Sequence, residues 1–192
     1  MTNNRINIIG CGRAAGSLAR LWRQSGIVDI GGVMNRSQAS SERAVRLLGG
    51  GRAVESISAL PPAAFWLIGT TDNEIEGVAR ELAESTQVMR DDLVFHLAGR
   101  FGLDVLQSLQ APGNLTAALH PVRSLTHKEL TVADFTGTAC VAEGKPAALE
   151  RLQPLVTSIG GSFLPVDSIE RGLYHAAVAV ISNITKAVAW KA

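Results

Sequence analysis

Charge is scarce in this chain of 192 residues, and neither sign dominates. Asp, Glu, Lys and Arg make up 18% of it, and the formal net charge at pH 7 is +1. No run of Lys and Arg is long enough to suggest a nucleic acid or an anionic membrane as partner. Cysteine is equally sparse. Cys11 and Cys140 stand far apart, without the spacing of metal ligands, so no metal site is expected. Two free thiols fit a reducing compartment, and a soluble cytoplasmic protein is expected. Long apolar runs are missing, which excludes a membrane-spanning helix. Only four residues precede the first predicted strand, too few for a signal peptide. The hydrophobic fraction of 46% nonetheless predicts a folded chain, with one sizeable core or one domain plus an appendage.

What is present is concentrated at the start. Residues 5–22 read RINIIGCGRAAGSLARLW. A β-branched run (Ile6, Ile8, Ile9) stops at Gly10. Gly10, Gly12 and Gly16 punctuate a turn, and an amphipathic helix follows, with Ala15, Leu18, Ala19 and Trp22 on one face. Strand, glycine turn and helix open a dinucleotide-binding βαβ unit. One glycine permits the tight turn, one lets the backbone approach a pyrophosphate, and one lets helix and strand pack closely. The uncapped helix N-terminus, from Arg13, Ala14 and Ala15 onward, offers N–H groups and a positive dipole end to phosphates. The spacing G-x-G-x-x-x-G is one residue longer than the usual fingerprint.

A second strand is expected over Val28–Met34, ending in Asn35-Arg36-Ser37. Sites selective for NAD carry an acid here to grip the ribose 2′-hydroxyl. This chain has none. Arg36 offers a planar guanidinium and Ser37 a hydroxyl, both suited to the 2′-phosphate of NADP, and Arg36 can also stack on adenine.

The alternation continues with a helix from Ser40 to Leu48, a strand over Ala64–Ile68 and Gly69-Thr70-Thr71-Asp72. Thr70 and Thr71 fall where ribose or phosphate oxygens lie, beyond a strand's carboxyl end, and Asp72 reads as a helix cap. A fifth strand covers Leu93–Leu97, a helix Leu103–Leu109, and a sixth strand Leu115–Leu119. His120 follows at the same sheet edge. Another strand over Thr138–Val141, a helix opened by Pro146 and a strand over Ser162–Val166 complete the unit. The fold class is therefore α/β, a Rossmann-like doubly wound and mostly parallel sheet, with a long helix from Ser168 to Lys191. Residues 1–166 are expected to form the nucleotide-binding domain, and 167–192 to begin a C-terminal helical or dimerisation domain that is otherwise absent.

That last helix places Leu173, Ala177, Val180, Ile184 and Val188 along one face. His175, Ser182 and Lys186 lie nearly opposite, with Asn183 at the edge of their line. Apolar residues flank this polar line, so the helix wants burial on more than one side. A homodimer built through it is expected.

These pieces resemble a known family. INIIGCGRAAGSLA, the NRS after the second strand, LIGTTDNEI, HLAG–GLDVL, AALHPVRSL and GLYHAAVAVISN are similar to predicted NADP-dependent oxidoreductases that join a Rossmann-like domain to a conserved domain of unknown function. Pyrroline-5-carboxylate reductase, prephenate dehydrogenase and 6-phosphogluconate dehydrogenase are relatives. The resemblance implies hydride transfer between NADP and a small-molecule carbonyl or imine, with no substrate assigned. His120-Pro121 looks like the His-Pro of prephenate dehydrogenases, whose histidine polarises the substrate hydroxyl. It makes His120 the leading acid/base candidate, and histidine chemistry agrees. His175 in GLYHAA and Asn183, by loose likeness to the Lys and Asn of hydroxy-acid dehydrogenases, are further catalytic candidates.

Three other readings are weighed against this one. A dehydrogenase-like fold can serve as a non-catalytic nucleotide-binding or regulatory module. An adenosylmethionine-dependent methyltransferase also uses a glycine turn, but it would want an acid where Asn35-Arg36-Ser37 stands. A short-chain dehydrogenase needs Tyr-x-x-x-Lys, and four residues after the single tyrosine, Tyr174, stands Val178.

Overall fold

The structure, a computed structural model, describes residues 4–85, 87–110, 113–125, 130–166 and 174. Its strands are β1 (Arg5–Ile9), β2 (Asp29–Met34), β3 (Arg52–Ala53), β4 (Phe65–Ile68), β5 (Leu93–His96), β6 (Leu115–Pro121), β7 (Ala139–Gly144) and β8 (Ser162–Val166). They form one sheet in the order β3-β2-β1-β4-β5-β6-β7-β8. All neighbours pair in parallel except β6 and β7. The chain starts in the middle, winds outward to β3, then returns to build the other half from β4. The winding reverses between β1 and β4, which makes their carboxyl ends the topological switch point.

Among the described residues five α-helices accompany the sheet: α1 (Arg13–Gln24), α2 (Gln38–Leu48), α3 (Ile75–Glu84), α4 (Val132–Phe135) and α5 (Pro146–Thr157). One core lies under α1, α2 and α5, where Leu18, Trp22, Leu48, Leu152 and Val156 meet Ile8, Leu67 and Phe95. A second lies on the opposite face, where Ile75, Ala79 and Leu82 of α3 and Leu106 meet Ile9, Trp66 and Val94. Covered from both sides, β4 and β5 are buried at every residue; β4 is apolar throughout and β5 is apolar up to His96. No helix among the described residues is long and apolar enough to cross a membrane.

A bulge explains the glycine pair in β2. Ile6 pairs with Ile30 but Ile8 pairs with Val33, so Asn7 alone faces both Gly31 and Gly32. The fully buried Asn7 side chain fills the gap. Its Oδ1 accepts the Gly32 N–H at 2.7 Å and its Nδ2 donates to the Pro61 carbonyl at 2.7 Å. A Cβ on Gly31 would lie 2.5 Å from Asn7 Oδ1, and one on Gly32 would lie 2.5 Å from Leu60 Cδ2. Asn7→Leu leaves a donor and an acceptor unpaired. It is expected to lower stability by about 2–4 kcal/mol in urea denaturation, and an unchanged midpoint would show the clamp to be dispensable.

The expected elements differ from the observed ones in instructive places. The segment before Leu109 is a 3-10 turn, Asp104–Leu109, rather than an α-helix. β6 runs past Leu119 to Pro121, because antiparallel β7 pairs with its tail, His120 to Val141 and Pro121 to Cys140. The cap after β4 is Thr71 in a capping box with Glu74, and Asp72 is already in the 3-10 turn that leads into α3. The expected helix over 168–191, with His175, Asn183 and Lys186, lies outside the described residues except for Tyr174.

Candidate functional site

The glycine turn forms a cradle at the switch point. Gly10 has φ +84°, a left-handed conformation that side chains resist, and its N–H donates to the Met34 carbonyl at 2.7 Å. A Cβ on Gly10 would lie 2.5 Å from the Thr70 nitrogen. One on Gly69 would lie 2.5 Å from both the Gly10 oxygen and the Ala15 Cβ. The tight packing of helix on strand therefore falls to Gly10 and Gly69. Gly16 takes no such part, since a Cβ there would meet only Cys11 Sγ, at 3.5 Å. Gly12 is the N-cap of α1 and has no side chain to cap the helix. A Cβ there would approach only the Gly69 oxygen, at 3.7 Å, so one side of the turn is open.

The opening leads into a cleft of about 880 Å³. Gly10, Gly12, Asn35, Arg36, Thr70 and Thr71 all line it. Arg13 and Gly16 line a smaller adjoining pocket between α1 and α2. Ala14 and Ala15 are in the first turn of α1, where their amides project from the helix end. The Ala15 side chain is 1% exposed and packs inward, so only its backbone can serve a ligand. Thr70 Oγ1 is buried and has no hydrogen-bond partner among the described residues. Burial pushes the Cys11 thiol up to about 11, which leaves it neutral and weakly nucleophilic within the cradle.

The end of β2 is built around Asn35. Its Oδ1 accepts the Cys11 N–H at 2.6 Å, its Nδ2 donates to the Ser40 carbonyl, and its own N–H donates to Ser41 Oγ. Asn35 thus fastens the glycine turn to the start of α2. Ser37 caps α2, its Oγ accepting the Ser40 N–H. Arg36 remains exposed, and its Nη2 reaches Glu74 Oε1 at 3.2 Å. Glu74 Oε2 in turn accepts from the Thr71 hydroxyl at 2.8 Å and the Thr71 N–H at 3.3 Å. These Thr71 bonds, with Arg36 beside them, hold the Glu74 carboxyl below its ordinary range. Arg43, from α2, adds a second cation to the same wall.

At the carboxyl edge of β6, half-buried His120 meets Tyr174. Its Nδ1 lies 3.0 Å from the tyrosine hydroxyl, and the rings cross at 86° with centroids 5.6 Å apart. Gly99 faces the other edge of the imidazole, and a Cβ there would lie 2.6 Å from His120 Nε2. The turn carrying Gly99 is tied down by buried His96. Its Nδ1 accepts the Ala98 N–H at 3.1 Å and its Nε2 donates to the Gly102 carbonyl at 2.8 Å. That pairing requires the neutral ring with the proton on Nε2.

The site therefore brings together Gly10, Gly12, Asn35, Arg36, Thr70 and Thr71 around one cleft, leaves Ser37 outside its lining as the cap of α2, and sets His120 on the same sheet edge. Sequence reasoning missed Gly69, Arg43, Glu74, Gly99 and Tyr174. Glu74 was readable in the Thr71-Asp72-Asn73-Glu74 capping-box spacing, and Gly69 in its place at a strand end. Among the described residues no group of three His, Cys, Asp or Glu side chains could hold a metal ion.

Open sheet, switch point and glycine cradle define the class, a doubly wound α/β protein with its cleft at the carboxyl ends of the central strands. Residues 2–121 match the family model described as a Rossmann-like domain, and the chain belongs to that family. Residues 138–192 match a second model, a domain of unknown function, DUF2520. Three solved structures are similar. A Bacteroides fragilis protein assigned as an NADP oxidoreductase has a TM-score of 0.80 at 18% identity, over 97% of this chain and 69% of that one. Prephenate dehydrogenase from Aquifex aeolicus has 0.73 at 18%, over 97% and 68%. An imine reductase from Myxococcus stipitatus, in complex with NADP+, has 0.69 at 17%, over 97% and 63%. What is shared at such identities is the fold, and this chain spans about two thirds of each structure. No curated protein matches it.

Proposed function

We propose that the chain is the nucleotide-binding part of an NADP(H)-dependent oxidoreductase acting on a small carbonyl or imine. The observation that carries this reading is the composition of one cleft. Its floor is a glycine cradle beneath an uncapped helix N-terminus, and its wall beyond β2 holds two arginines where an NAD site carries an acid. The dinucleotides in two similar structures, NAD+ in prephenate dehydrogenase and NADP+ in the imine reductase, support a nicotinamide cofactor; the preference for NADP rests on the arginines alone.

A bound nicotinamide supplies or accepts the hydride. The chain's own residues do the remaining work. The amides of Arg13, Ala14 and Ala15 receive the diphosphate, and Gly12 leaves it room. Thr70 and Thr71 meet the ribose side. Arg36 and Arg43 neutralise the 2′-phosphate, with Ser37 close by at the start of α2. His120 gives a proton to the developing alkoxide or amine, or takes one in the reverse direction, and Tyr174 holds the ring for that exchange.

Binding tests the reading before any substrate is known. NADPH is expected to raise the melting temperature more than NADH does at equal concentration c, because a ligand of the folded state stabilises it by RT ln(1 + c/Kd), which is larger for the tighter ligand. Arg36→Ala should weaken NADPH by about 10- to 100-fold, the worth of one or two charged hydrogen bonds, and leave NADH within about twofold. Equal losses for both dinucleotides in a fluorescence titration would remove Arg36 from 2′-phosphate recognition.

A further inference from the structure

Arg36 is not free to receive an anion. Its guanidinium already lies against Glu74, 3.2 Å from Oε1, on the far side of the cleft mouth. The two partners are unequally held. Glu74 is anchored to Thr71 by a hydroxyl and an amide through its other oxygen, within a capping box at the head of the 3-10 turn Asp72–Glu74. Arg36 sits on an exposed side chain at the end of β2, with 86% of that side chain open to solvent. Of the pair, the arginine is the member able to move and the carboxylate the fixed one.

We infer that Glu74 is a specificity-setting residue. Its carboxylate occupies on Arg36 the place a 2′-phosphate would take, and so limits how strongly the chain prefers the phosphorylated dinucleotide. The inference rests on the NADP reading above. To bind a 2′-phosphate, Arg36 must exchange one anion for another, and the displaced carboxylate stays close by as a like charge. A dinucleotide without that phosphate asks for no exchange and leaves the pair closed. Glu74 thus weakens NADPH without touching NADH, which narrows the discrimination Arg36 alone would give.

Glu74→Gln isolates the charge. Glutamine keeps the reach and the acceptor oxygen that the capping box uses, so the head of α3 is retained. By fluorescence titration at low ionic strength, the variant should bind NADPH roughly three- to tenfold more tightly, the scale of releasing an exposed ion pair and removing a like charge. NADH affinity should not change. The gain should shrink in the Arg36→Ala background to the smaller part owed to the like charge, because the carboxylate then has no guanidinium to withhold. An unchanged NADPH affinity in Glu74→Gln, or an equal shift for both dinucleotides, would overturn the inference. The parent reading fails separately, when Arg36→Ala alone does not distinguish NADPH from NADH. Selective loss in Arg36→Ala with a silent Glu74→Gln leaves that reading standing and removes Glu74 from it.

Discussion

Gly10→Ala is expected to cost both the cradle and a large part of the stability. Two penalties add. The added methyl forces a left-handed φ of +84° on a residue that resists it, at about 1–2 kcal/mol. It also lands 2.5 Å from the Thr70 nitrogen and 2.6 Å from Thr70 Cγ2. Overpacking of this kind costs about 1–3 kcal/mol, and here the obstacle is main chain, which cannot rotate aside. Together they predict a loss of roughly 2–5 kcal/mol, or about 5–15 °C in melting temperature for a chain of this size. Dinucleotide binding should fall by at least about tenfold even where the variant stays folded, because relief of the clash separates the glycine turn from Thr70 and Thr71. Gly16→Ala is the control. Its Cβ would meet only Cys11 Sγ at 3.5 Å, inside the first turns of α1. Alanine there should be neutral or stabilise by up to about 1 kcal/mol. Similar losses for the two variants would mean that the motif acts as a unit and that the close contact of Gly10 with Thr70 is incidental.

This contrast marks where the sequence was readable. The opening strand, turn and helix were legible because each is set by local chemistry: a β-branched run, glycines, then apolar residues at helical spacing. The doubly wound sheet followed from repeated alternation, and β4 from an apolar run too short for a buried helix. The partner of each glycine was not legible. Gly69 is far from Gly10 along the chain, and their contact exists only once β1 and β4 are neighbours. The Asn7 bulge is of the same kind, since nothing near Asn7 announces that its side chain completes the β1–β2 pairing. Arg36 was found from its position after β2, but its bond to Glu74 joins loops on two different strands. His120 was found from its dipeptide and its sheet edge. Tyr174 and Gly99, which hold it, come from distant segments, and no local pattern pairs either of them with His120.

His120→Ala is expected to leave the dinucleotide bound and to abolish turnover. His120 is on β6, whereas the cradle is built from the ends of β1, β2 and β4, so affinity for NADPH should stay within about twofold while a proton transfer worth about 10²- to 10⁴-fold is lost. Turnover is read on a panel of imino and keto acids with NADPH. Tyr174→Phe keeps the ring contact and removes the hydroxyl at 3.0 Å, so its loss in kcat should be smaller, about tenfold, with KM for NADPH unchanged. Gly99 allows a check that needs no substrate. A methyl there would lie 2.6 Å from His120 Nε2 and 2.7 Å from its Cε1, so Gly99→Ala must push the imidazole off Tyr174 or strain the turn that His96 holds. Once His120 is alanine, the same methyl has room. The two substitutions should therefore be non-additive, Gly99→Ala costing about 1–3 kcal/mol alone and close to nothing beside His120→Ala. Strict additivity in that cycle would mean the glycine serves the backbone rather than the histidine. Full turnover in His120→Ala would move the proton donor elsewhere, whatever the cycle showed.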